Sequence, residues 1–118
     1  MMSRLAATLI GKGNLATVAE KRQRNAAAVL AAVAHLPGWA PLFSPDFAWV
    51  PHHLPMRCAN RDLAERYFDR FQRTALTAET WPDLAPEVLA CSAARRLRET
   101  VLLLPCHQHL DTVNLVVP

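Results

Sequence analysis

Hydrophobic and polar positions fall along this chain in blocks with distinct periods. From Met2 to Ala34 good helix formers dominate. Leu5, Leu9 and Ile10 share one helical face, and Val18, Ala26, Val29, Leu30 and Val33 share another. Gly11-Lys12-Gly13-Asn14 interrupts the run and predicts a bend or break between two helices. Leu36-Pro37-Gly38 ends the second helix, because proline cannot continue it and glycine permits a left-handed exit.

Short extended segments are predicted at 40–43 and 49–56. Pro41, Pro51 and Pro55 each lack a ladder donor, so such strands belong at an edge or carry a bulge. Asn60 is placed to cap a helix over 61–73. Leu63, Ala64, Tyr67, Phe68 and Phe71 form its apolar stripe, opposite Asp62, Glu65, Arg66, Asp69 and Arg70. Residues 75–81 read as a strand broken by Pro82, and WPDLAPEVL as a loop with a turn or two of helix. Ser92 is expected to cap a helix over 93–99. The apolar run Val101 to Leu104 reads as a strand buried on both faces and stopped by Pro105. This order predicts a layered α/β (α+β) fold: a long N-terminal helical stretch, then a small sheet covered by helices.

Length and composition narrow this picture. The 118 residues suit one domain, divided into connecting helices over 1–34 and a small α/β domain over 35–118. With 52% hydrophobic residues the chain can build a core rather than remain disordered. The net charge of +3 is spread over helices that also carry Asp and Glu, with no basic stripe for nucleic acid. No apolar run reaches the ~20 residues of a membrane span, and the N-terminus lacks a convincing signal-peptide cleavage region. Cys58, Cys91 and Cys106 are odd in number and lack framework spacing, so reduced thiols and a cytoplasmic location are expected.

Three stretches invite a chemical interpretation. Gly11-Lys12-Gly13-Asn14 lacks the spacing of a phosphate loop and has no Ser or Thr after its lysine, so it reads as a helix break. His52, His53, Cys58, Cys106, His107 and His109 raise a metal site, but no pair has zinc-ligand spacing. A Cys106 nucleophile with His107 as its base is disfavoured, since neighbours in an extended chain point to opposite faces. Trp39, Trp49 and Trp81 are expected to pack in the core or at edges rather than form a stacking platform.

An ordered set of short motifs is more informative. Met2-Ser3, Ala6-Ala7, Lys21-Arg22-Gln23-Arg24-Asn25 and Leu36-Pro37-Gly38 fall in register with a family pattern. Asn60-Arg61-Asp62-Leu63-Ala64-Glu65-Arg66, Thr80-Trp81-Pro82 and Leu103-Leu104-Pro105-Cys106-His107-Gln108 follow in the same order. Together they resemble the C-terminal third of the DegT/DnrJ/StrS aminotransferases, pyridoxal-phosphate enzymes of fold type I, many acting on nucleotide-linked keto-sugars. Residues Asn114 to Pro118 depart from the family's closing helix.

The resemblance implies the small domain of such an enzyme and a fragment of a larger one. The Schiff-base lysine, the aspartate at the pyridine nitrogen and the phosphate contacts of the family lie in its large domain, upstream of the matched region. No catalytic, cofactor-binding or metal residue is therefore assigned, and pyridoxal phosphate is expected to belong to the family rather than to this chain alone. Trp81, His107 and Gln108, at strand ends, are the candidate substrate contacts, acting by hydrogen bonding or stacking. Expected partners are a missing large domain or a second copy. Two alternatives stay open: an interaction module exposing Leu5, Leu9 and Ile10, and a small metal-binding protein using His52, His53, Cys106 and His107.

Overall fold

The computed structural model describes residues 14–44, 46, 49–115 and 117. The predicted first helix, with Leu5, Leu9 and Ile10, lies outside the described residues, as does the Gly11-Lys12-Gly13 part of the predicted break. Helix α1, Leu15–Val33, begins directly after it, and the Asn14 side chain accepts a hydrogen bond from the Thr17 amide. Such a cap satisfies one of the amides that an α-helix leaves unpaired at its start. The helix ends before Leu36-Pro37-Gly38, where Gly38 takes a left-handed φ of 76°. A Cβ on Gly38 would also come within 2.6 Å of Leu63 Cδ2, so the end of that side chain would have to shift.

Strand β1, Trp39–Pro41, pairs antiparallel with β2, His53–Cys58. Helix α2, Arg61–Phe71, follows, with the Asn60 side chain accepting from the Leu63 amide as its polar pattern predicted. The predicted strand over 75–81 contracts to β3, Glu79–Thr80. Residues before it turn instead, because Thr74 Oγ1 donates to the Phe71 carbonyl and accepts from the Leu76 amide, which buries Leu76 under the helix end. Helix α3, Pro86–Leu89, is the turn expected in WPDLAPEVL. Helix α4 spans Ser92–Thr100, so Ser92 is its first residue; Cys91 holds the N-cap position, with no side-chain cap bond. Strand β4, Val101–Pro105, continues directly from α4.

The four strands form one antiparallel sheet in the order β1-β2-β4-β3, which is the layered α+β architecture expected. Pro55 lies in β2, an interior strand, contrary to the edge position predicted for it. Its carbonyl accepts from the Leu42 amide just beyond the end of β1. The amide and carbonyl of one strand residue point to the same side. The missing Pro55 donor therefore falls where β1 has ended, and one marginal ladder bond is all that is lost.

The pairs Leu54↔Leu104 and Met56↔Leu102 set which residues share a face. Leu54, Met56, Cys58, Leu102 and Leu104 face the core, where they pack with Val29 and Val33 of α1 and Ala64, Tyr67 and Phe71 of α2. Trp39, opposite Cys58, joins them by stacking on Phe71 at 5.4 Å, and its Nε1 donates to the Val33 carbonyl. Trp39 thus takes the packing role expected of it. The opposite face carries His53, Pro55, Arg57, Val101, Leu103, Pro105 and Glu79, and neither Val101 nor Leu103 belongs to the main core cluster.

Candidate functional site

Beyond β4, alternating side chains are sent to different surroundings. Cys106 is fully buried, and burial pushes its thiol up to about 11. His107 is exposed, and its carbonyl accepts from the buried Asn25 Nδ2 at 2.7 Å. The half-buried Gln108 accepts through Oε1 from Arg22 Nε at 2.9 Å. The basic segment of α1 and the motif after Pro105, separated by more than eighty residues in sequence, are therefore bolted together side by side. A groove of about 360 Å³ runs along this junction, lined by Lys21, Arg24, Asn25, Gln108, Asp111 and Thr112.

On the sheet face away from the core, a second group of polar side chains collects beside the same strand end. His53 pairs with Pro105 across β4, and Glu79 pairs with Leu103 from the other side. Side chains from β2 and β3 thus reach toward each other over β4, leaving His53 Nε2 3.6 Å from a Glu79 oxygen. That is too long for a hydrogen bond and short enough for charge attraction. His52 completes the group, with its Nδ1 2.8 Å from the Nδ1 of His53. Burial lowers the His53 pKa below the ordinary imidazole value; Glu79 opposes the shift, while His52 and His107 add to it. His107 is thus within electrostatic reach of this face.

Trp81 stands elsewhere. Thr80 pairs with Leu102, so β3 leaves the sheet at the Val101 end, whereas His107 follows Pro105 at the other end. Roughly 13 Å of strand separates the two ends. His107 and Gln108 are together; Trp81 does not join them. A larger groove, about 720 Å³, lies at the Trp81 end between α2, α4 and the sheet, and is lined by Ala64, Phe68, Thr80, Leu84, Arg98 and Val101. An Arg98–Asp83 ion pair at 2.7 Å stands on its rim.

Among the described residues, no group of three or more His, Cys, Asp and Glu side chains is arranged to hold a metal ion. Cys106 is buried, His53 lies on the sheet face away from the core, and His52 and His107 are exposed, so the thiol is separated from the imidazoles by burial. No helix among the described residues is long and apolar enough to cross a membrane. The sequence singled out His107 and Gln108 but not Arg22 and Asn25 as their neighbours, nor Glu79 as the neighbour of His53. Nothing in the spacing of those residues announced it, since each contact crosses between elements.

No protein-family model matches the chain, and no curated protein matches it. A solved structure does: the crystal structure of S. venezuelae DesV, a pyridoxal-phosphate-dependent sugar aminotransferase, in complex with a ketimine intermediate. The match has a TM-score of 0.64 and 25% identity, and it covers 90% of this chain and 31% of DesV. This chain therefore spans about a third of the length of that enzyme and is related to fold-type I pyridoxal-phosphate aminotransferases through their small domain.

Proposed function

We propose that this chain supplies the small-domain wall of the active-site cleft of a DegT/DnrJ/StrS-type aminotransferase acting on a nucleotide-linked keto-sugar. The likeness to DesV over nearly all of this chain and only 31% of DesV carries the proposal. His107 is the side chain best placed to meet substrate: it is exposed, and its backbone is held by Asn25. Gln108 already holds Arg22, so its contribution is to keep the strand end in place, with substrate contact by its amide nitrogen. Trp81 would act separately, at the far end of the sheet. Free thiols at Cys58, Cys91 and Cys106 are in keeping with a reducing compartment such as the cytoplasm.

The described residues do not fit the cofactor itself. A pyridoxal ring requires a lysine held against it and a carboxylate at its pyridine nitrogen. Lys21, the lysine among the described residues, is exposed on α1 beside the Gln108 groove, with no enclosed site around it. The cofactor-bearing surface is accordingly assigned to a large domain with which this one pairs, and no chemical step is assigned to this chain through the cofactor.

The test is to mix the purified chain with DesV large domain lacking its own small domain, and follow association by calorimetry and amino transfer by product formation. Saturable association with a gain in turnover is expected, and its absence would remove the proposal. In parallel, the chain alone is incubated with pyridoxal phosphate and reduced with borohydride. A stoichiometric pyridoxyl adduct at one lysine would overturn the assignment of the cofactor to another domain.

A further inference from the structure

We propose that Glu79, His53 and His52 form a proton relay that presents His52 Nε2 as an oriented, proton-accepting nitrogen for a ligand hydroxyl. Two imidazole nitrogens can approach to 2.8 Å only when one carries a proton and the other a lone pair. The carboxylate decides which is which. Glu79 stands 3.6 Å from His53 Nε2, where a lone pair would be repelled and an N–H attracted. His53 is therefore protonated at Nε2, its Nδ1 accepts, and His52 Nδ1 donates to it. This leaves the proton-free nitrogen of neutral His52 at Nε2, on an exposed side chain that meets no other partner among the described residues.

The relay draws on three separate backbone positions: the start of β2, the residue before it, and β3 on the far side of β4. When a ligand hydroxyl gives its proton to His52 Nε2, the O–H bond breaks, its electron pair stays on oxygen, and an N–H bond forms. The resulting imidazolium is stabilised through His53 by the Glu79 charge. The surroundings also select the ligand. Glu79 repels carboxylates and phosphates, and a lone pair accepts rather than donates a hydrogen bond, so an uncharged hydroxyl fits and an anion does not. His107, the other titratable group near His53, adds no fixed charge while neutral.

The choice of a sugar-like ligand rests on the proposed function; the relay does not, and each fails by a separate measurement. Nitrogen NMR of the full chain at pH 7.5 reads both tautomers directly. His52 is expected with its proton on Nδ1 and His53 with its proton on Nε2, whereas free imidazoles of histidine favour Nε2. Glu79→Gln, at an exposed edge position, should return His52 to the common tautomer. The same change should slow carbethoxylation of His52 by diethyl pyrocarbonate about threefold against the exposed His35 and His109 as internal references. A wild-type His52 protonated on Nε2, or a His52 tautomer and rate unchanged by Glu79→Gln, would overturn the relay. Methyl α-glucopyranoside should shift the His52 ring resonances while inorganic phosphate leaves them in place. Shifts with phosphate alone, or with neither probe, would overturn the ligand class.

Discussion

Gly38 joins α1 to the sheet through a conformation that a side chain resists, with a φ of 76° and Leu63 Cδ2 on the side where a Cβ would stand. Gly38→Ala is expected to destabilise the fold by about 2 kcal/mol, mostly from the left-handed backbone, because the end of Leu63 can yield. Urea unfolding of the two proteins would measure this. His53 supplies a pH dependence of definite sign. Its folded pKa lies below the ordinary 6.5, chiefly through burial, so the unfolded chain binds more protons in this range. The stabilisation is present above 6.5 and is lost as pH falls through the lower folded value. Unfolding midpoints at pH 7.5 and pH 5 should show it, and His53→Asn should reduce the difference.

At the scale of elements, helix ends carry the most legible contributions. Asn60 was readable as a cap because a small polar residue precedes an amphipathic pattern, and its side chain accepts from the Leu63 amide at 2.9 Å. Asn60→Ala should cost about 1 kcal/mol, seen as a lower denaturant midpoint with an unchanged slope. The start of α4 was not readable, since Ser92 looked the better cap than Cys91. There the backbone amides of Ala93 and Ala94 lower the Cys91 thiol pKa, whereas burial pushes Cys58 and Cys106 up to about 11. Titration with Ellman's reagent at pH 8 should therefore show one fast thiol, lost in Cys91→Ser, with two more appearing at the rate of unfolding.

Across the whole molecule, α1 is tied to the segment after β4 by Arg22–Gln108 and Asn25–His107, which bring opposite parts of the chain into one structure. Asn25 is buried, so Asn25→Ala would leave the His107 carbonyl with one donor fewer in a shielded place. A loss of about 1–2 kcal/mol is expected. Hydrogen exchange at the Leu110 amide, which bonds the same carbonyl, should quicken more than exchange in α2. A uniform increase in exchange would show instead that the junction is not a separable unit.

The amphipathic stripe of α2, the helix-ending Leu36-Pro37-Gly38 and the apolar run before Pro105 were determined by sequence alone. Each is a local consequence of side-chain period, a missing donor or a permissive glycine. The opposed directions of Cys106 and His107 followed in the same way, from the alternation of an extended backbone. The interior place of Pro55 and the distance of Trp81 from His107 were decided only by strand order and register. Those depend on which strand lies beside which, a choice made by burying Leu54, Met56, Leu102 and Leu104 on one face under α1 and α2. The same choice carries His53 and Glu79 to the other face, where they meet across β4, and no spacing within either segment could have announced it.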